Sequence, residues 1–369
     1  MTASELRDNL SLCRIPQIGD IYISQLIRYA GSASALFAMG RRRLELIPGI
    51  GSARANAILH FKDHVSSEKE IQFAQRNGIE IIVKGMKDYP SRLEHCHDAP
   101  HVLFFKGNQS LNHARIIGVV GTRSPTAYGR ERTIELLSAL SQENILVLSG
   151  LAYGIDTIAH QEALKAGLPT IGVLGHGLDK IYPYANRHIA SEMLAHGGLL
   201  TEFWHGTKPD RQNFPKRNRI VSGLADALVV IESGEKGGSL ITADIANSYN
   251  KDVFAFPGRV TDVHSKGCNE LIRNHQAQLI SSGRDLLEMM NWIPRSEKRG
   301  HVQPVLFPEL GTEEKLIYDI LHSNSPVPID LLHGLSGLRS SELAAILLSM
   351  ELKGIIHVLP GKTYALSVP

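Results

Sequence analysis

The sequence predicts an α/β protein built on a doubly wound, mostly parallel sheet. Three observations lead there. Ala227-Leu228-Val229-Val230-Ile231 is an apolar run without alternation, the pattern of a strand buried on both faces. Similar runs recur through residues 112–293 with helix-period segments between them. At the end of each run glycine, hydroxyl and arginine residues gather, and ligands of such sheets bind outside the carboxyl ends of the strands.

Composition bounds the rest. A chain of 369 residues, 43% apolar and 21% charged, is expected to fold as a soluble globular protein of two or three domains. Its net charge of +2 means that any affinity for nucleic acid must come from a local basic surface. Cys13, Cys96 and Cys268 show no paired spacing, which fits a reduced compartment and argues against a disulfide framework or structural zinc. No apolar run reaches the length of a membrane span, and the N-terminus lacks a signal-peptide core, so a cytoplasmic location and no membrane partner are expected.

Residues 1–64 read as a small all-helical domain. Ile15-Pro16-Gln17-Ile18-Gly19 and Ile47-Pro48-Gly49-Ile50-Gly51 are related turns, each followed by an amphipathic run, Ile21 to Tyr29 and Ala53 to Phe61. The second resembles a helix-hairpin-helix signature, whose backbone N–H groups hold a DNA phosphate. In the first, Gln17 replaces the glycine. The reading without a ligand is a tight helix connection, since Gly and Pro punctuate helices anyway. Residues 65–111 are expected to connect this unit to the main body, with short strands at Ile79–Val83 and Val102–Phe105. Within them, His95-Cys96-His97-Asp98 reads as a solvated loop rather than a metal site, because adjacent loop residues rarely converge on one ion.

Residues 112–293 form the large domain. Strands are expected at Ile116–Val120, Ile145–Leu148, Thr170–Leu174, Gly198–Thr201, Ala227–Ile231, Val253–Phe256 and Gln278–Ile280. The first helix, Tyr128 to Ser141, places Ile134, Leu136, Leu137 and Leu140 on one stripe. The strand ends carry Gly121-Thr122-Arg123, then Ser149-Gly150 through Gly154 to Asp156, then Gly175-His176-Gly177 through Lys180. The basic loop Phe214–Arg219, with Lys216, Arg217, Asn218 and Arg219, precedes the fifth strand, and Gly234, Gly237, Gly238 and Ser239 follow it. Backbone approach at glycine, helix N-termini and guanidiniums together suit phosphate oxygens. Each has a plainer reading: tight turns for the glycines, a helix cap for Asp156, a structural ion pair for Arg123. Their joint position at the strand ends favours a phosphate-type ligand.

Several enzyme classes lack their motifs. There is no G-x-G-x-x-G after the first strand, no Walker G-x-x-x-x-G-K-[ST], no H-E-x-x-H or C-x-x-C, and no G-x-S-x-G. His160 shares a helix face with Asp156 but has no nucleophile beside it, and the 17 histidines are scattered. No catalytic residue, metal or cofactor is nominated.

Taken in order, Gly121-Thr122-Arg123, Ser149-Gly150-x-Ala152-x-Gly154-Ile155-Asp156, Phe214-Pro215-x-Arg217-Asn218-Arg219-Ile220 and Gly238-Ser239-Leu240-x-Thr242-Ala243 resemble the DprA (Smf) family of DNA-processing proteins of natural transformation. The resemblance implies an extended Rossmann-like domain between an N-terminal SAM-like and a C-terminal winged-helix-like domain. It implies a recombination mediator without catalytic turnover that binds and protects incoming single-stranded DNA, forms a homodimer and helps load RecA. The single-stranded-DNA-binding protein is a further candidate partner. Carried over by motif, Arg123, Arg217 and Arg219 are the phosphate-gripping cations, with Lys180 and Lys216 as additional ones. Gly121, Thr122, Ser149, Gly150, Gly154, Gly238 and Ser239 would line the pocket, beside Asp156 and Asn218. Many relatives carry a lysine where Tyr184 stands here, which offers a stacking face in place of a phosphate contact. Tyr153, Tyr182, Phe203, Trp204 and Phe214 also lie near strand ends, either stacking on bases or packing.

Residues 294–311 are expected to be a linker, with Pro294, Pro304 and Pro308. Residues 312–369 read as a winged helix, with helices Thr312–Leu321, Pro328–Leu335 and Ser340–Lys353 before a hairpin. The last helix has Lys353 as its one basic residue, so docking to protein or regulation is favoured over reading a major groove. The rival reading of the whole chain is a nucleotide-processing enzyme. The Glu235–Thr242 turn is similar to that of nucleoside-monophosphate phosphoribohydrolases, and Glu202, Asp226 or Glu232 would supply the carboxylate.

Overall fold

Strands form where apolar runs can be buried on two faces. The computed structural model of the protein describes residues 1–293, 310–359 and 361–366. Its first unit, Met1–Ile293, is centred on a nine-stranded sheet. In chain order the strands are β1 (Glu80–Val83), β2 (Val102–Gly107), β3 (Ile116–Val120), β4 (Leu146–Ser149), β5 (Thr170–Val173), β6 (Gly197–Thr201), β7 (Ala227–Val230), β8 (Asp252–Ala255) and β9 (Gln278–Leu279). They lie side by side as β1-β2-β6-β5-β4-β3-β7-β8-β9. From β6 to β9 every neighbouring pair is parallel, while β1 and β2 extend the β6 edge in antiparallel fashion. The expected doubly wound, mostly parallel sheet is present, and residues 65–111 join it rather than merely leading to it.

Alternation within the strands explains their apolar runs. Ile116, Leu146, Leu148, Ile171, Leu228, Val230 and Val253 enter the core on one face, against Ile220, Val221 and Leu224 of the helix Asn213–Leu224. Ile117, Val119, Val147, Ala227, Val229 and Phe254 enter the core on the other. There they meet Leu136, Leu137 and Leu140 of the helix Ala127–Leu140, and Ala159 and Ala163 of the helix Ile155–Lys165. Ile134, expected in that stripe, is instead 41% exposed.

The chain steps outward from β3 through β4 and β5 to β6, then returns to lay β7 against the free side of β3. The crevice at the carboxyl ends of β3 and β7 is therefore a topological switch point, where ligands of open α/β sheets bind.

The N-terminal helices have a core of their own, with Leu12, Ile15, Ile23, Leu26, Ile47 and Ile58. The two related turns lie side by side. Arg54 donates from Nε to the Gln17 carbonyl (3.2 Å) and from Nη1 to the Gly49 carbonyl (2.7 Å), and its guanidinium covers Tyr22. Gln17 adopts φ 65°, close to the 77° of Gly49, so the turn survives the loss of its glycine. These helices are tied to the sheet: His101 Nε2 bonds Asn9 Oδ1 (2.8 Å), and Leu10 packs with Val102 and Phe104. In the 95–98 segment, Cys96 is buried in the core and Asp98 accepts from the Tyr249 hydroxyl, while His95 and His97 are exposed.

The second described unit comprises the helices Thr312–Asn324, Ile329–Ser336 and Ser340–Leu352 with a three-stranded sheet. β10 (Val327–Pro328) and β11 (Ile356–Leu359) both pair antiparallel with β12 (Thr363–Leu366) around Ile317, Leu321, Leu343, Leu347 and Met350. This is a winged helix. Lys353 gives its charge to Glu314, with Nζ 2.6 and 2.8 Å from the two carboxylate oxygens. Most of the expected linker, residues 294–309, lies outside the described residues.

Candidate functional site

An open cleft of ≈ 520 Å³ occupies the switch point. Four chain segments build it, and each arrives for a local reason.

The turn after β3 supplies Gly121, Thr122 and Arg123. A Cβ on Gly121 would stand 2.6 Å from Ile155 Cγ1, so only glycine permits this approach. Thr122 N donates to the Glu232 carbonyl (2.8 Å), and the buried Glu232 carboxylate accepts from Thr126 N (2.9 Å) and Oγ1 (2.6 Å). β7 thus braces the loop that carries Arg123.

The turn after β4 supplies Gly150, Ala152 and Asp156. Asp156 Oδ2 accepts from Gly150 N (3.2 Å) and Ala152 N (3.3 Å). Burial pushes its carboxyl above the usual range, against the pull of Arg217. Gly154 sits at φ 80°, where a Cβ would come 2.3 Å from the Thr122 carbonyl oxygen.

The helix Asn213–Leu224 presents Phe214, Arg217, Asn218 and Val221 to the cleft. These are positions i, i+3, i+4 and i+7, one face of a helix. Arg217 is 4% exposed. Its Nη1 donates to the carbonyls of Gly150 and Val173 (2.6 Å for the latter), and Nε donates to Asn218 Oδ1 (3.0 Å). Burial lowers its pKa, and Asp156 works the other way. A Cβ on Gly150 would occupy the guanidinium's place, 1.8 Å from Nη1.

The fourth wall is the N-terminus of the helix Gly238–Ser248, with Gly237, Gly238, Ser239, Ile241 and Thr242. No side chain caps this end, so its backbone N–H groups remain anion donors. Arg123 and Arg217 both stand over the cleft's aromatic ring, with guanidinium carbons 5.4 and 6.0 Å from the Phe214 centroid.

The structure thus brings together Gly121, Thr122, Arg123, Gly150, Asp156, Arg217, Asn218, Gly238 and Ser239. The other expected site residues lie elsewhere. Arg219, two positions beyond Arg217, points away from the cleft because i and i+2 do not share a helix face. It pairs with Glu202 (2.5 Å) and Asp20 (3.2 Å) and donates to the Asp98 carbonyl, joining the N-terminal helices to the sheet. Burial opposes its charge, yet Glu202, Asp20 and Asp98 together hold its pKa above the ordinary value. Lys216 is exposed outside the cleft, and Lys180 turns to Asp179 (3.7 Å). Ser149 donates to the Val119 carbonyl (2.7 Å) inside the sheet, and Gly154 lies behind the β3 turn. Arg211, exposed on the cleft's rim, stands before the basic Phe214–Arg219 motif and so escapes it; that motif, expected as a loop, is helical within Asn213–Leu224. The signal of Arg211 is its place three residues ahead of Phe214.

The carboxylates that nucleotide hydrolysis would require are committed to other partners. Glu202 faces Arg219, and burial pushes it up to about 7. Asp226 pairs with Arg92 (2.6 Å) and accepts from Ile116 N at the opposite, amino end of β3. Glu232 holds Thr126. None of the three lines the cleft. Of the aromatics, Phe214 lines it and Tyr153 and Tyr182 line an adjoining slot, whereas Tyr184 is exposed under Arg187 and Trp204 lies under Arg14.

Comparison with known proteins agrees with this architecture. The family model described as DNA recombination-mediator protein A matches residues 80–291, and one described as DprA winged helix domain matches residues 304–362. Protein Smf of Synechocystis is 30% identical over 99% of both chains. DNA processing protein DprA of Bacillus subtilis is 41% identical over 58% of this chain and 72% of its own. The X-ray structure of DprA from Streptococcus pneumoniae superposes with a TM-score of 0.66 at 32% identity, covering 76% of this chain and 95% of that one. A Helicobacter pylori DNA processing protein A, solved to describe its single-stranded DNA binding mode, gives 0.53 at 30% identity over 58% and 96%. With one family model spanning the sheet, another the winged helix, and a relative aligned end to end, the chain belongs to the DprA/Smf family of DNA recombination mediators.

Proposed function

We propose that the cleft at the β3–β7 switch point grips the sugar-phosphate backbone of single-stranded DNA, and that the chain acts as a binding mediator rather than an enzyme. The observation that carries this reading is the composition of the cleft walls. Arg123, Arg211 and Arg217, an uncapped helix N-terminus and the face of Phe214 line one open cleft. Cationic donors hold phosphates, and an aromatic face accepts any base, which yields affinity with little sequence preference. Asp156, the one carboxylate there, is engaged by two backbone N–H groups and faces Arg217, an arrangement that holds a turn rather than one that activates water.

A single strand gripped by its backbone is a substrate for handover. RecA is the recipient implied by the family, a second copy of this chain the implied dimer partner, and the single-stranded-DNA-binding protein the competitor to be displaced. The relatives' names support this direction, since they include DNA processing proteins and one structure titled for its single-stranded DNA binding mode.

Fluorescence anisotropy of a labelled oligonucleotide across a salt series tests the core of the proposal. Single strands should bind more tightly than duplex, with a log–log salt slope of about −0.7 per phosphate engaged. Arg123→Ala should weaken binding and flatten that slope by roughly one such increment. No single-strand binding, together with release of a base from nucleoside monophosphates, would transfer the cleft to the nucleotide hydrolases.

A further inference from the structure

The N-terminal helices and the sheet meet over a second cavity, of ≈ 330 Å³, which shares no lining residue with the strand-end cleft. Its size falls in the range of about 300–1,000 Å³ that small-molecule sites occupy. One wall is apolar and buried, formed by Ile18, Ile23 and Val102. Trp204 and Thr207, from the segment after β6, stand on another. The charged groups on its lining are Arg14, Asp20 and Glu202.

Those charges do not balance. Arg14 gives its charge to Asp63 (2.9 Å) and lies with its guanidinium over the Trp204 ring (4.9 Å). Asp20, which opens the helix Asp20–Ala30, and Glu202 share a single cation, Arg219 (3.2 and 2.5 Å). Lys216, on the same helix as Arg219, forms no ion pair among the described residues. One negative charge is therefore left over, and two neighbours register it. The buried Cys13 thiol is driven well above its ordinary value by burial and by the fields of Asp20 and Glu202. Burial pushes Glu202 up to about 7, and Asp20 and Asp98 add to that push against Arg219 and Lys216.

The hydrogen bonds leave one acceptor over as well. Asp20 Oδ1 accepts from His101 N (2.9 Å) and Oδ2 from Arg219, which also donates to Glu202 Oε2. Glu202 Oε1 is buried with no partner among the described residues. A buried acceptor without a donor costs free energy, and the terminal torsion of a glutamate is soft enough to turn that oxygen to the cavity. The occupant that fits brings a positive charge and an N–H donor at one end and carbon at the other. A metal ion fits poorly, because no three His, Cys, Asp or Glu side chains converge among the described residues.

We propose that this cavity binds an aliphatic primary ammonium, whose nitrogen donates to Glu202 Oε1 and the Thr207 hydroxyl while its alkyl stem lies against Ile18, Ile23 and Val102. The proposal stands independently of the single-strand reading. Because the walls come from both the N-terminal helices and the sheet, the bound amine ties the two together. A free diamine and a lysine side chain of a bound protein carry the same chemistry.

Isothermal titration calorimetry of the full chain with putrescine, blocked lysine (N-acetyl-lysine methylamide) and 1,4-butanediol tests the proposal. Putrescine or blocked lysine should bind at one site, and the diol, which keeps the chain without the charge, at least about tenfold more weakly. The tighter of the two amines identifies the source as a free diamine or a protein side chain. Affinity should fall about tenfold from pH 8 to pH 6, as Glu202 takes up a proton and loses the charge that holds the ammonium. Glu202→Gln removes that charge at constant shape. Thr207→Trp fills the cavity without touching the Arg219 joint, so it decides the question even if Glu202→Gln folds poorly. Each variant should bind the amine at least about tenfold more weakly. No saturable amine binding up to about 10 mM, equal binding of the diol, an affinity independent of pH, or undiminished binding by both variants would overturn the site.

Discussion

Arg217 and Arg219 show how two residues of one motif part company. Only Asn218 separates them in the family signature, yet a separation of two on a helix puts them on nearly opposite faces. Arg217 fills the cleft floor, and Arg219 serves as a joint with Glu202 and Asp20. Arg123, by contrast, is exposed at the rim, with Phe214 beneath it. Arg123→Ala should therefore leave the urea midpoint unchanged, its whole effect falling on DNA binding. Arg217→Ala should lose binding and also about 2–4 kcal/mol of stability, because two carbonyls lose their donor and the buried Asp156 loses its nearest positive charge. Equal midpoints for the two variants would mean that the Arg217 guanidinium is solvated. The sequence identified both arginines by motif, but burial was not legible, because a guanidinium aimed at carbonyls and one aimed at phosphate leave the same letter.

At the scale of elements, the sheet was readable wherever burial on two faces imposed a local pattern. Ile116–Val120 is uniformly apolar because Ile116 and Ile117 enter opposite cores. The antiparallel joining of β2 to β6 had no such local mark, since Phe104 opposite Thr201 is a pairing between distant segments. The helix Gly238–Ser248 allows the cleft's electrostatics to be separated from its folding. A Cβ at Gly238 meets nothing within 4 Å, so a side chain fits there. Gly238→Asp places a carboxylate in the first helical turn, where it complements the dipole and supports the helix. That same carboxylate would occupy the anion position. The variant should melt no lower than the wild type and bind single strands at least about tenfold more weakly, a loss of 1.4 kcal/mol or more. Unimpaired binding would remove this helix from the phosphate track.

On the scale of the whole molecule, the residues that line the cleft all fall within Met1–Ile293. The winged helix closes a core of its own around Ile317, Leu321 and Met350, and the basic residue at the end of its third helix is paired with Glu314. A chain ending at Ile293 should therefore keep the single-strand affinity and salt slope of the full chain. Removal of residues 1–64 should have the opposite result, although they lie outside the cleft. It takes Asn9 from His101, Asp20 from Arg219 and Leu10 from the core with Val102 and Phe104. One buried leucine, the buried Asn9 and the half-buried Asp20 together are worth at least about 3–5 kcal/mol. Tryptophan fluorescence can follow both truncations, since Trp204 and Trp292 are the protein's two tryptophans and both belong to this unit. Trp204, beneath Arg14, should report the loss of the helices directly. Urea unfolding should show the midpoint of residues 1–293 matching that of the full chain and that of residues 65–369 displaced well below it. If the two truncations unfold alike, the N-terminal helices are an independent domain after all, and the Arg219 joint contributes nothing to holding the cleft.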